Sequence, residues 1–388
     1  MFRIRTMNKI SPLGLELFPR DRYEVASEIP NPDAILVRSA DLHDLEIPES
    51  VLAIGRAGAG VNNIPIEKCS DRGVVVFNTP GGNANAVKEL AIASMMLASR
   101  NIVGGINWAA SIAGEADKVP DLVEKEKAKF DGPELKDKTL GVIGLGAIGV
   151  MVANDAIALG MEVIGYDPFI SVNAAWNLSR KVARSESLDS LLGKADYLTI
   201  HAPLSNNTKG LLNAEKFQLM KKNARIVNLS RGGLVNDADI IQALNAGKIA
   251  AYVTDFPNAE LLACKNAICI PHLGASTPEA EDNCAVMAAR QVKDFLETGS
   301  ILNSVNYAGC SLERRVPHRL SVTIRNVPNM VGQITTLLAG ANINIADLIN
   351  HHRGEFAYNI IDTEQEIPEG IIEKLRRIEG IVRVRKIE

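Results

Sequence analysis

The sequence predicts an α/β protein: two Rossmann-like, doubly wound parallel-sheet domains followed by a small ferredoxin-like βαββαβ domain. Three observations carry that expectation. Short β-branched runs alternate with helical patterns almost to residue 300, the grammar of a parallel sheet covered by helices. One apolar run leads directly into Gly144-Leu-Gly146-Ala-Ile-Gly149, a GxGxxG string that opens a helix. After residue 317 the order changes to strand, helix, strand, strand, helix, strand within about 70 residues.

Taken in order, residues 34–38 (AILVR), 52–55 (LAIG) and 73–78 (GVVVFN) read as buried strands. Residues 84–100 form a long, mostly apolar helical pattern. The Gly- and charge-rich stretch 104–138, with EKEKAK inside it, reads as a loop and a short surface helix. The strand TLGVIG, a helix over 147–159 stopped by Gly160, and the strands MEVIGYD, DYLTIHAP, ARIVNLS, AYVTDF and AICIPH follow. Residues 278–298 are a long helix stopped by Gly299, and 300–317 read as a linker. Beyond it, strands are expected at 319–325, 344–350, 356–362 and 382–387, with helices at 333–339 and 368–378.

Composition narrows the function classes. At roughly 150 residues per domain, 388 residues make two or three domains. A formal charge of −4 supplies no basic field for nucleic acid. The N-terminus has no apolar core of signal-peptide type, and no apolar run approaches the ~20 residues of a membrane helix. Five cysteines, an odd number without Cys-x-x-Cys or zinc-like spacing, read as reduced thiols of a cytoplasmic protein without a metal site.

The chemistry starts from the glycine string. Gly144 allows a tight turn, Gly146 lets the backbone approach a pyrophosphate, and Gly149 lets helix and strand pack closely. Asp167 ends the next strand, 18 residues past Gly149, where a carboxylate binds ribose hydroxyls and repels a 2′-phosphate. NAD is therefore the expected cofactor. Arg231, Glu260 and His272 each follow a later strand, and in a parallel sheet such residues gather at the carboxyl edge.

With those residues in place, the chain resembles the D-isomer-specific 2-hydroxyacid dehydrogenase family. NLSRGGLV resembles the family's arginine motif, Asp255 to Glu260 its acidic motif, and PHLGAST its histidine motif. GRAGAGVNNI and FNTPGGNANAVKEL resemble its substrate-domain motifs. One departure is Leu261, where the family often has proline. The last 70 or so residues resemble an ACT regulatory domain, in RLSVTIRNVPNMVGQI and GANINIA.

The resemblance implies a substrate domain from 1–97 and 288–305, a nucleotide domain at 98–287, a linker at 306–317 and the regulatory domain at 318–388. The helices at 84–100 and 278–298 would be the hinge elements. It implies NAD-dependent oxidation of a phosphorylated D-2-hydroxyacid, since an ACT segment is typical of amino-acid-pathway enzymes. The alternatives are a glycerate/hydroxypyruvate or 2-hydroxyglutarate type of enzyme, or an NAD-sensing protein of the same fold. His272 would be the general base, Glu260 its orienting carboxylate, and Arg231 the clamp on substrate carboxylate and C2 oxygen. Ala147, Ile148, His201, Ala202, Pro203, Leu229, Ser230, Asp255 and Gly274 fall at cofactor-contact positions. Arg56 and the loop Gly81, Gly82, Asn83 would hold the substrate's phosphate and anionic oxygens, with Lys127 or Lys129 as weaker candidates. A homodimer or homotetramer is implied. In the ACT segment Asn326 and Asn344 keep the ligand-binding asparagine positions, but Ile324 and Val327 stand where His and Arg would hold an amino acid. Weak or absent serine inhibition is therefore expected, because an amino-acid ligand would lack charged partners.

Overall fold

The computed structural model describes residues 1–387. The chain divides into two compact units, residues 1–83 with 278–388, and residues 84–277.

The first unit opens with a five-stranded parallel sheet: β1 (Phe2–Met7), β2 (Tyr23–Ala26), β3 (Ala34–Val37), β4 (Ala53–Arg56) and β5 (Val75–Phe77), in the order β2-β1-β3-β4-β5. β3 is buried at every position, as its continuous apolar run requires. β1 and β2 lie outside the strands expected from sequence. Arg3, Arg5 and Glu24 interrupt their apolar pattern, which suits strands near the sheet edge. The helix Pro278–Thr298 packs on this sheet through small residues. A Cβ on Gly55 would stand 2.7 Å from Val292, and one on Gly14 2.7 Å from the Ala285 backbone. That close fit keeps the whole helix in the first unit, where the sequence reading divided it at residue 287.

The second unit is a seven-stranded parallel sheet of β6 (Thr139–Ile143), β7 (Glu162–Tyr166), β8 (Ala183–Arg184), β9 (Tyr197–Ile200), β10 (Ala224–Asn228), β11 (Ile249–Thr254) and β12 (Ala267–Cys269), in the order β12-β11-β10-β9-β6-β7-β8. The order reverses at β6, which sits between β9 and β7 and so creates a switch-point crevice at the carboxyl ends. The helix Ala84–Ser99 belongs wholly to this unit. Arg225 donates to the Ala98 carbonyl at 2.7 Å, and Ser99 shares a 2.7 Å hydrogen bond with the Tyr197 hydroxyl. The unit boundary accordingly falls before residue 84, not near 97. The stretch expected to be mainly loop is largely helical, at Ile102–Ser111 and Val119–Glu126, with no buried residue in either helix.

The C-terminal sheet contains β13 (His318–Arg325), β14 (Ile345–Arg353), β15 (Phe356–Thr363) and β16 (Ile381–Ile387), antiparallel in the order β14-β15-β13-β16. With the helices Met330–Gly340 and Glu369–Arg376 it forms the expected βαββαβ arrangement. Every residue of β15 is buried. Ala357 and Ile361 face the domain's own helical core, while Phe356, Tyr358 and Ile360 join the core of the first sheet and the long helix. The expected linker is pinned structure. Asn306 and Tyr307 are buried, Asn306 Oδ1 accepts from Val76 N at 2.9 Å, and the Tyr307 hydroxyl donates to Ser70 O at 2.6 Å.

Candidate functional site

The carboxyl edge of the second unit's sheet gathers the residues singled out from sequence. Gly144 follows β6, Asp167 follows β7, His201 follows β9, Leu229 to Arg231 follow β10, Asp255 follows β11, and His272 lies three residues past β12. Gly144 has φ +85°, and a Cβ there would sit 2.6 Å from the His201 carbonyl oxygen. A Cβ on Gly149 would collide with the Gly144 oxygen, whereas one on Gly146 would meet nothing within 4 Å. The first two glycines mentioned thus close the turn, and Gly146 leaves the backbone open to a ligand. Beyond it, the helix Ala147–Ala158 has no side-chain cap, so its first N–H groups remain for an anion. Gly146 and Ala147 are exposed, Ile148 half-buried.

Asp167 is fixed by two backbone donors. Its Oδ2 accepts from Leu145 N at 2.8 Å and its Oδ1 from Phe169 N at 2.8 Å. The carboxylate keeps further lone pairs for ribose hydroxyls. His201 pairs its Nε2 with the Thr199 hydroxyl at 3.0 Å, and burial pushes its pKa down to about 4, so the ring is neutral at pH 7. Ser230 Oγ donates to Ile200 O at 2.6 Å, tying the arginine loop to β9. Leu229 is buried, Ala202 half-buried and Pro203 exposed.

Arg231 is exposed, with one guanidinium nitrogen donating to the Ser230 carbonyl at 2.6 Å. The imidazole of His272 is exposed and lies against Phe256, ring centroids 4.9 Å apart. Glu260 stands exposed in the first turn of the helix Ala259–Leu262, capped by Asn258. Among the described residues no hydrogen bond joins Glu260 to His272. Asp255 is the buried carboxylate here. Burial raises its pKa, opposed by the charges of His272 and Arg231 and by a 3.3 Å hydrogen bond from Gly274 N. Its Oδ1 is buried without a partner among the described residues. An orphaned carboxylate oxygen and an uncapped glycine turn at the carboxyl edge of one sheet fit a site built for a ligand with amide or hydroxyl donors, as NAD has.

In the first unit the two substrate motifs come together. Thr79 N donates to Gly58 O at 3.1 Å, and Asn78 Nδ2 donates to Ala59 O at 2.7 Å. Arg56, at the end of β4, folds over Gly58, where any Cβ would stand 1.5 Å from its guanidinium. In the same loop Gly81 is exposed and Asn83 half-buried, and Gly82 packs on Cys284. Sequence reasoning passed over Arg38, one residue beyond β3 and paired with Glu281 at 2.5 Å. The signal was available: an apolar strand ending in arginine, as at Arg56. Lys127 and Lys129 instead pair with Glu124 and Glu126 on their own exposed helical stretch. In the C-terminal domain Ile324 is buried in the core and Val327 is exposed. Asn326 donates to Gly354 O at 3.2 Å, and Arg325 reaches away to Asp71 at 2.7 Å.

A family model described as "D-isomer specific 2-hydroxyacid dehydrogenase, NAD binding domain" matches residues 92–274. Over those residues, a little under half of the chain, the sequence is similar to the NAD-binding domain of that family. Its curated relatives include the D-3-phosphoglycerate dehydrogenases of Archaeoglobus fulgidus, 38% identical over 295 residues (74% of this chain, 53% of that one), and of Methanocaldococcus jannaschii, 35% identical over 346 residues (86% and 62%). The chain thus spans little more than half the length of these relatives. Among solved structures, NAD+-bound 3-phosphoglycerate dehydrogenase of Entamoeba histolytica is 26% identical at a TM-score of 0.62, covering 79% of this chain and 98% of that one. A D-mandelate dehydrogenase of Rhodotorula graminis, at 22% identity and a TM-score of 0.66, shares the fold. Among the described residues no helix is long and apolar enough to cross a membrane.

The fixed carboxylate of Asp167 makes coenzyme choice a local electrostatic question. NAD should be strongly preferred over NADP, and Asp167→Ala should narrow that preference, because it removes both the ribose acceptor and the repulsion of a 2′-phosphate. Comparing kcat/KM for the two coenzymes checks this; equal efficiencies in the parent protein would refute the assignment.

Proposed function

We propose that the protein oxidises D-3-phosphoglycerate at C2 to 3-phosphohydroxypyruvate with NAD, the first step of L-serine synthesis, in the cytoplasm. The observation that carries the substrate class is Arg56 at the carboxyl end of β4. Its positive charge suits a phosphate, whereas Arg38 at the end of adjacent β3 is balanced by Glu281, and the relatives bearing this name add weight. Bound NAD supplies the acceptor for the hydrogen and electron pair that leave C2. His272 takes the hydroxyl proton in oxidation and returns it in reduction. Arg231 binds the substrate carboxylate with its planar fork and polarises the C2 oxygen. Glu260 orients His272 once its side chain turns toward the ring, as catalytic hydrogen bonds often tighten only with substrate bound. Asp255, buried and with one free oxygen, accepts from the nicotinamide end of the cofactor.

Turnover of D-3-phosphoglycerate, D-glycerate and D-2-hydroxyglutarate under the same conditions tests the reading. Arg56→Ala should weaken the phosphorylated substrate far more than glycerate. Equal losses on both would make Arg56 structural, and preference for an unphosphorylated acid would overturn the substrate class.

We also assign the C-terminal domain to assembly of a homodimer or homotetramer, since β14 is an outer strand of its sheet. Serine should inhibit weakly or not at all at millimolar concentration. Ile324 is committed to the core and Arg325 to Asp71, which leaves Asn326 and Asn344 without a charged companion for an amino acid. Titrating L-serine against initial rate decides it; half-inhibition at micromolar serine would contradict this.

A further inference from the structure

The helix Pro278–Thr298 is gripped at two places by segments remote in sequence. The last four carbonyls of a helix have no donor within it. Here Arg385 of β16 donates to the carbonyls of Phe295, at 2.9 Å, and Leu296. Arg319 of β13 donates to Thr298 O at 3.0 Å, and the Tyr358 hydroxyl of β15 to Gly299 O at 2.9 Å. The Arg385 guanidinium also lies over the Phe295 ring, 5.2 Å from its centroid. Three strands of the C-terminal sheet therefore supply what water usually supplies to a helix end, and two of the groups carry the charge that complements its dipole.

One turn back, on the same face as Phe295, Gln291 Nε2 donates to the Asn78 carbonyl at 2.9 Å. Two turns further, Cys284 Sγ stands 2.8 Å from where a Cβ on Gly82 would be. Asn78 and Gly82 lie in the loop that carries Gly81 and Asn83. Arg385, Phe295, Gln291 and Asn78 thus form one line of contacts from the C-terminal sheet to that loop.

We propose that Arg385 is a positioning residue: acting through the helix, it holds the loop at residues 78–83, and so couples the C-terminal domain to substrate affinity without touching the nucleotide site. The affinity part rests on the substrate role assigned to the loop above; the coupling does not.

Hydrogen exchange on the full chain tests the coupling directly. Arg385→Met keeps an apolar stem and removes the donors. Amides at 76–86 should exchange about tenfold faster, the effect expected when one buried hydrogen bond's worth of local protection is lost. Amides at 139–160 should keep the parent rate. Gln291→Met cuts the link at the loop end and should loosen 76–86 while the last helical turn, 293–299, stays protected. This second variant keeps the idea testable if Arg385→Met folds poorly. Fraying of 293–299 with the loop at parent rate in Arg385→Met, or an unmoved loop in Gln291→Met, would overturn the coupling and leave Arg385 a plain helix cap. In variants whose loop loosens, KM for D-3-phosphoglycerate should rise about five- to tenfold, with the NAD dissociation constant unchanged by direct titration. A loosened loop with unchanged KM would reject the substrate role of the loop and keep the coupling.

Discussion

Replacing His272 by alanine should lower kcat by roughly 10²–10⁴, the usual contribution of a positioned acid–base group. NAD affinity should hardly change. The imidazole sits three residues beyond β12, exposed toward solvent and backed by the Phe256 ring. Its loss therefore removes a proton acceptor without opening a cavity. The buried neutral His201 cannot take over: its Nε2 is committed to Thr199, and its low pKa makes it a poor base near neutrality. Initial rates at saturating coenzyme, beside an equilibrium NAD titration, separate chemistry from binding. Near-normal turnover in His272→Ala would reject the base; lost NAD binding would make the residue structural.

The nucleotide half of this molecule was legible because its signals are local. A glycine turn, an apolar strand before it and a carboxylate at the next strand end are all fixed by backbone geometry, and Gly144, Gly149 and Asp167 stand where that geometry requires. Side-chain pairing is different. Whether Glu260 touches His272 depends on the rotation of an exposed carboxylate in a short helix, which no spacing encodes. The buried partner of the site, Asp255, reads in sequence only as a strand-end residue; its unpaired oxygen is a property of the packed site. The first sheet was half legible for a related reason. β3 and β5 are continuous apolar runs, but β1 carries arginines at alternate positions, and only its pairing with β2 and β3 makes it a strand. Residues 300–317 looked like a linker because Ser, Asn, Gly and charged residues crowd there. Their polar groups are instead spent inward, Asn306 bonding the β5 backbone and Tyr307 the Ser70 carbonyl. Composition reports polarity, not the direction in which it points.

The C-terminal domain offers the largest stability effect. Arg319 and Asp362 are 1% and 0% exposed and form a two-pronged pair, Nε to Oδ1 at 2.6 Å and a terminal nitrogen to Oδ2 at 2.8 Å. Asp362→Ala should cost about 3–5 kcal/mol, because the guanidinium stays buried with its countercharge gone. The two neutral carbonyls it also reaches, Thr298 O at 3.0 Å and Leu312 O at 2.9 Å, cannot balance a full charge. The double variant Arg319→Met with Asp362→Leu should lose less than Asp362→Ala alone, since both desolvated charges disappear together. It should not return to the parent value, because the Thr298 and Leu312 carbonyls lose their donor. Urea unfolding, followed by a probe in the first unit, measures the difference. The first sheet and the C-terminal sheet share a core through Phe356, Tyr358 and Ile360, so loss of the pair should move that transition. The transition of the nucleotide unit, whose core is separate, should stay at its parent midpoint. A loss below about 1 kcal/mol in Asp362→Ala, the range of an exposed ion pair, would mean that water reaches Arg319 readily and that the pair is no anchor of the shared core.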